Sequence, residues 1–190
     1  MSESLAFYFD QTRCTACNAC VVSCKDWNGV NQGPVSYRNV TTSYSKDMFP
    51  NVTVYNISSA CNHCDAPACV TACGREAISK LDNGIVLLDR NKCVGLEDCI
   101  TACPYGAIGI ADDEQEKPFT ESNWEIAHPA QKCHMCYDRI EDGKQPACVG
   151  ACPQRALDVD TAANLRKKYG SIERYQDLGT GPNFYIKRRA

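Results

Sequence analysis

CVGLEDCITACP, residues 93–104, has the spacing of an iron–sulfur ligand run, C-x₂-C-x₂-C-x₃-C-P, with one slot changed. Position 96, where the second cysteine belongs, is leucine. Cys93, Cys99, Cys103 and Pro104 stay in register around it. It is a cluster site short of a ligand, a cluster of another kind, or no cluster site. The other cysteines decide between these readings.

Three further segments share the pattern. CTACNACVVSC supplies Cys14, Cys17, Cys20 and Cys24; CNHCDAPACVTACG supplies Cys61, Cys64, Cys69 and Cys73. A fourth starts at CHMC and resumes at ACVGACP, giving Cys133, Cys136, Cys148 and Cys152. In every run the last two cysteines are four apart, and GREAI (74–78), PYGAI (104–108) and PQRAL (153–157) follow three of them into a short apolar stretch. Such density is an internal repeat. Each unit reads as a ligand loop, a helical turn through C-x₃-C, and a strand, with Gly/Pro/Asn/Asp connectors between units. AFYFD (6–10) and GIVLLD (84–89) are expected strands, and 161–175 is expected as the only longer helix, exposed.

Fifteen cysteines among 190 residues, about 8%, approach the level at which cysteine chemistry organises a fold. An odd count, crowding at separations of three to five, and an opening without a secretory signal argue against disulfides. No apolar run reaches the roughly 20 residues that span a bilayer. The expectation is a cytoplasmic chain, or one held at a membrane by partners. A formal charge of −3 is too mild to indicate nucleic acid. Asp112, Asp113, Glu114, Glu116, Glu121 and Glu125 nevertheless face Lys117 alone in one stretch, and 165–190 holds seven Lys/Arg against Glu173 and Asp177. These are solvated faces or docking surfaces.

A lone C-x₂-C leaves zinc open. C-x₂-C-x₂-C wraps three thiolates around one face of a cubane, and the fourth cysteine serves a neighbouring cluster. Four runs make two such pairs needing sixteen cysteines, and the missing one falls at Leu96. Leucine cannot bind iron, so a [3Fe-4S] cluster, which needs three thiolates, is the preferred reading, with Leu96 filling the vacated corner. The alternative is a fourth [4Fe-4S] cubane ligated there by Glu97, Asp98 or water. Cys93, Cys99 and a crossing cysteine are the expected ligands. A Lewis-acid site of the hydro-lyase kind would also need a substrate pocket and an acid–base pair, and the spacing arranges neither.

CKDWN (24–28), ACNHCDAPACV (60–70), DRNKCVG (89–95), ACPYGAI (102–108), KCHMCYDRIEDGKQPACVGACPQRAL (132–157) and LRKKYG (165–170) resemble the iron–sulfur electron-transfer (beta) subunit of the dimethyl-sulfoxide reductase, or molybdopterin oxidoreductase, type. The resemblance covers essentially the whole chain. It implies an α+β double-ferredoxin fold, with small sheets and short helices around four clusters, in which runs one and four pair and runs two and three pair. Spacing alone does not choose that nesting. Carried over, Cys14, Cys17, Cys20 and Cys152 hold one [4Fe-4S] cluster; Cys133, Cys136, Cys148 and Cys24 a second; Cys61, Cys64, Cys69 and Cys103 a third. Cys93, Cys99 and Cys73 hold the [3Fe-4S] cluster. The corresponding regions are an outer lobe of 1–57 plus 128–160, an inner lobe of 58–110, an acidic loop of 111–127 and a C-terminal extension of 161–190. Gly74 stands where proline is common, so a looser turn is expected there.

The implied role is a non-catalytic relay of single electrons between a molybdenum- or tungsten-pterin catalytic subunit and a membrane anchor or other redox partner. Relatives lacking a signal can be exported with a signal-bearing partner, so the side of the membrane stays open. A hydrogenase- or formate-type subunit, a freestanding polyferredoxin and a zinc-organised module are the competing readings. Outside the cysteines, His63 and His134 are expected to bond near a sulfide or to a carbonyl, and His128 to be exposed. Trp27, Tyr37, Tyr55, Tyr105 and Tyr137 are expected to pack around clusters, Trp124 to anchor an interface, and Lys144 with the 187–189 basic tail to dock on a partner.

Overall fold

Alternation in the first strand organises the molecule. In the computed structural model, which describes residues 4–116 and 124–189, β1 (Leu5–Asp10) is buried on both faces. Phe7 and Phe9 point into a cluster containing Cys20, Cys61, Cys133 and Cys148, whereas Ala6 and Tyr8 pack with Leu165 and Tyr185 on the other side. Successive residues of a strand face opposite ways, so one hexapeptide lines the thiols and the outer helix together.

α1 (Ala19–Asn28) carries Cys20 and Cys24 and stops at Gly29, whose φ of 62° is the left-handed conformation glycine takes freely. The hairpin of β2 (Arg38–Tyr44) and β3 (Val54–Ala60) follows, rich in β-branched residues. Its far end leaves Tyr44, Met48 and Phe49 exposed. α2 (Ala68–Thr71) and the hairpin of β4 (Ile78–Lys80) with β5 (Val86–Leu88) make the second unit. α3 (Asp98–Ala102) and β6 (Ile108–Gly109) make the third, with β6 antiparallel to β7 (Gln131–Lys132). α4 (Tyr137–Glu141), α5 (Ala147–Gly150) and β8 (Leu157–Thr161) form the fourth. α1 packs on α5 and α2 on α3.

The chain ends with α6 (Ala162–Tyr169), β9 (Glu173–Arg174) and β10 (Phe184–Lys187). One sheet runs β8-β1-β10-β9, with β1 parallel to β10 and antiparallel to β8. Two expectations are corrected here. The C-terminal helix spans eight residues and is shorter than α1; Gly170 ends it, and its Leu165 is fully buried. The stretch expected as an extension contributes β10, an inner strand whose Phe184, Tyr185 and Ile186 are all buried.

Candidate metal centres

Each C-x₃-C pair starts within a helix: Cys20 in α1, Cys69 in α2, Cys99 in α3 and Cys148 in α5. The turns after three of the closing cysteines share one bonding pattern. The N–H of Ala77 donates to Cys73 Sγ at 3.3 Å, that of Ala107 to Cys103 Sγ at 3.5 Å, and that of Ala156 to Cys152 Sγ at 3.2 Å. The third residue after each cysteine, Glu76, Gly106 or Arg155, has positive φ. Gly74 therefore does not loosen its turn. The proline's place at the two other turns affects nothing in this bond, because the donor lies four residues on.

Backbone conformation fixes the register of the altered run. Ala16 (φ 55°) and Asn18 (φ 61°) flank Cys17; Gly95 (φ 75°) and Glu97 (φ 62°) flank Leu96. Leucine thus sits in the ligand-loop position of Cys17. Both positions are exposed, Leu96 by 61%. Leu96 lines one pocket with Cys73, Cys93 and Cys99 and lies largely in solvent, because the second slot of the loop is on the surface in both runs.

All fifteen cysteines are free thiols. Thiols from separate runs act on one another. Burial pushes the Cys14 thiol up, and Cys20, Cys152 and Cys17 add to the rise; the same four line one pocket. Burial raises Cys24 to about 12, with Cys148, Cys136 and Cys20 contributing, and raises Cys133, with Cys24, Cys61 and Cys148 among the causes. Cys69 is pushed up to about 12 by burial and then by Cys61, Cys103 and Cys64, against Lys132. Cys99 rises by burial and by Cys73 and Cys93. Crowded, half-buried sulfurs resist ionising unless a cation replaces their protons. Among the described residues no three His, Cys, Asp or Glu groups converge on a single-ion site.

Two buried cations that sequence reasoning missed lie among these thiols. Arg38, 2% exposed, is within electrostatic reach of Cys148, Cys133, Cys20 and Cys24. Lys132, 4% exposed, donates to Val86 O at 2.5 Å and Cys133 O at 2.9 Å and stands 3.7 Å from Cys61 Sγ. Lys132 is visible in the sequence only as a lysine preceding C-x₂-C; Arg38 carries no local signal.

The other candidates fall variously. His63 is fully buried, and its Nδ1 accepts the Val86 N–H at 2.9 Å, a bond to an amide rather than to a carbonyl. His134 Nε2 pairs with Asn28 Oδ1 at 2.6 Å. His128 is not exposed: its side chain is 13% exposed and pairs with Asp113 at 2.7 Å. Tyr37 bonds Gln131, Tyr105 bonds Thr180, and Tyr137 donates to Glu141. Tyr55 pairs with Ser43 in the hairpin. Trp27 donates to Asp138 at 2.9 Å beneath Arg139, and Arg90 stacks on Trp124 while pairing with Glu116. Lys144 pairs with Asp142. The basic tail is engaged within the chain: Arg188 pairs with Glu173, and Arg189 donates to Val54 O and Thr12 O. Lys117 and Glu121 lie outside the described residues.

The 4Fe-4S dicluster domain matches residues 52–162, which hold runs two, three and four. The chain belongs to the 4Fe-4S dicluster family. Within it, the chain is 37% identical over 202 residues to the probable anaerobic dimethyl sulfoxide reductase chain YnfG of Escherichia coli K12, covering 100% of this chain and 91% of that one. It is 35% identical over 201 residues to the B subunit of the anaerobic dimethyl sulfoxide reductase of the same organism, with the same coverage. It is 29% identical over 226 residues to the arsenate respiratory reductase iron-sulfur subunit ArrB of Shewanella sp. ANA-3, covering 96% of each. This dicluster protein is an iron–sulfur subunit of the dimethyl-sulfoxide reductase type and a non-catalytic electron-transfer component of an oxidoreductase complex.

Proposed function

We propose that the chain holds four iron–sulfur clusters in a row and relays single electrons between a molybdenum- or tungsten-pterin catalytic subunit and a membrane anchor or other redox partner. The observation that carries this reading is that thiols from distant runs act on one another, Cys14 with Cys152, Cys24 with Cys148 and Cys136, Cys69 with Cys103 and Cys99 with Cys73, and on it we divide the fifteen into four sets. Cys14, Cys17, Cys20 and Cys152 form the first; Cys24, Cys133, Cys136 and Cys148 the second; Cys61, Cys64, Cys69 and Cys103 the third; Cys73, Cys93 and Cys99 the fourth. Packing of α1 on α5 and of α2 on α3 supports an outer lobe of 1–57 with 128–160 and an inner lobe of 58–110. When bound, the clusters supply one-electron carriers whose charge changes with little nuclear movement.

The residues around the thiols have definable tasks. N–H groups of Ala77, Ala107 and Ala156 stabilise negative sulfur, and Thr180 Oγ1 donates to Cys64 Sγ at 3.3 Å. Phe7, Phe9, Val149 and Ile186 exclude water from the outer sets. Such donors and the apolar shell set potentials.

Three [4Fe-4S] clusters and one [3Fe-4S] cluster match the thiol inventory. The exposure of Leu96 favours a second reading of the fourth site, a cubane whose open iron takes solvent or the neighbouring Glu97 or Asp98. Iron analysis and EPR of the oxidised chain, prepared without oxygen, separate the two. The trinuclear reading gives about 15 iron atoms and an isotropic oxidised signal, and the cubane about 16 without it. Zinc without acid-labile sulfide overturns both. A catalytic subunit bearing molybdenum or tungsten is expected to co-purify; a chain stable alone would favour a freestanding carrier. No helix among the described residues is long and apolar enough to cross a membrane, and we propose attachment to one through a partner.

A further inference from the structure

Arg38 is the most deeply buried arginine among the described residues, and no carboxylate among them lies within ion-pair distance of it. Its Nη1 donates to Ser58 O at 3.2 Å and Ser58 Oγ at 3.1 Å, and its Cζ lies 4.7 Å over the ring of Phe7. Nε and Nη2 are buried without an acceptor. A guanidinium taken out of water costs several kcal/mol unless a counter-charge and acceptors meet it. The groups acting most strongly on Arg38 are four cysteines, Cys148, Cys133, Cys20 and Cys24, which would carry negative charge once they ligate a cluster. Those sulfurs belong to the first and second sets, so the guanidinium lies at the junction between them. Ser58 Oγ, which anchors it, is 3.4 Å from Cys20 Sγ.

Lys132 holds the next junction. It precedes Cys133 of the second set, stands 3.7 Å from Cys61 Sγ of the third, and completes its donors on Val86 O and Cys133 O. Arg38 and Lys132 are the only Lys or Arg side chains fully inside the described molecule. The fourth set lacks such a cation: Cys99 feels Cys73 and Cys93, and no lysine or arginine stands among its main influences.

We propose that Arg38 is a potential-setting residue that donates from its two unpartnered nitrogens, Nε and Nη2, to the sulfur of the first and second clusters, and that Lys132 extends the same positive charge to the third. The inference rests on the four-cluster reading above. A fixed cation in a low-dielectric interior stabilises the added electron more than it would in water. The row is thereby divided: three sites carry an interior cation, and the solvent-edged site beside Leu96 does not.

The test is EPR-monitored redox titration of the full, cluster-loaded chain as wild type, Arg38→Met and Arg38→Lys, with iron counted in each. Arg38→Met is expected to weaken reduction of the first two clusters at least tenfold, which is 59 mV for a one-electron couple. Arg38→Lys retains most of the wild-type value, and the couple of the Cys73, Cys93 and Cys99 site stays unmoved in both. Unmoved couples in an iron-replete Arg38→Met, an equal shift of every couple, or a Lys variant displaced as far as the Met variant would overturn the proposal. Should Arg38→Met fail to load, wild-type chain carrying guanidino-¹⁵N arginine decides. Nitrogen hyperfine coupling on the reduced outer clusters is expected, and its absence overturns the assignment. Lack of any cluster signal in wild type would instead sink the underlying four-cluster reading.

Discussion

Leu96 occupies the place of Cys17. Each lies between two residues of positive φ, in a loop that leads into a helix carrying the next cysteine, and each is exposed. The backbone at 95–97 is therefore already shaped for a ligand. Leu96→Cys should add one iron per chain and abolish an isotropic oxidised EPR signal, with little change in unfolding temperature because an exposed side chain is exchanged. Persistence of the signal would mean that the loop does not face the cluster.

Leu165 tests whether the two faces of β1 are separable. It is fully buried with Ala6, Tyr8 and Tyr185, on the side of the sheet away from the thiols. Leu165→Ala should cost about 2–5 kcal/mol and lower the anaerobic unfolding temperature while leaving iron content unchanged. Loss of iron in the folded variant would show that the faces are coupled.

Asp158 links α6 to the sheet. Burial pushes its carboxyl up, but hydrogen bonds from Lys168 at 2.6 Å, Tyr169 at 2.6 Å and the Val159 N–H at 2.9 Å outweigh that and hold it below the ordinary value. A depressed folded value means the unfolded chain takes the proton first. Its stabilisation is complete above the ordinary carboxylate pKa of about 3.9 and is lost as pH falls through the lower folded value. Asp158→Asn should therefore lower stability by roughly 1–3 kcal/mol, with a gap in melting temperature that stays constant from pH 5 to 8. A gap that closes within that interval would assign the linkage to another group.

Gln115 and Gly33 form a lock at the root of the acidic loop. The Gln115 amide donates to Asn31 O at 2.8 Å and Val35 O at 2.7 Å and accepts from Val35 N at 2.9 Å, and a Cβ on residue 33 would meet Gln115 Cβ at 2.5 Å. Gly33→Ala should cost about 1–3 kcal/mol through this clash. In a Gln115→Gly background, which removes the obstructing Cβ, Cγ and Cδ, the same change should cost far less. Additive melting shifts would refute the lock.

What the sequence disclosed follows from what is periodic in it. The C-x₃-C helices, β1, β5 and the strands after GREAI, PYGAI and PQRAL are all where spacing puts them, because each is dictated within a few residues. The β2–β3 hairpin went unread: it falls between runs, and its exposed face interrupts any apolar alternation. Residues 170–187 misled for a different reason. Their burial depends on β1, which lies at the other end of the chain, and no local pattern announces a parallel neighbour. Arg38 was invisible on the same account, since an arginine at the start of a strand is normally a surface residue. Leu96 was legible as a substitution but not as an exposed one, because exposure depends on which side of the loop faces solvent.

The order of β8, β1 and β10 also bears on how the molecule is made. Its first strand finds a neighbour on each side only once residues 157–161 and 184–187 have been synthesised, and Cys14 meets Cys152 only then. A nascent chain that has not reached residue 152 displays Cys14 without that distant thiol, so the two can meet only after most of the intervening chain has been made.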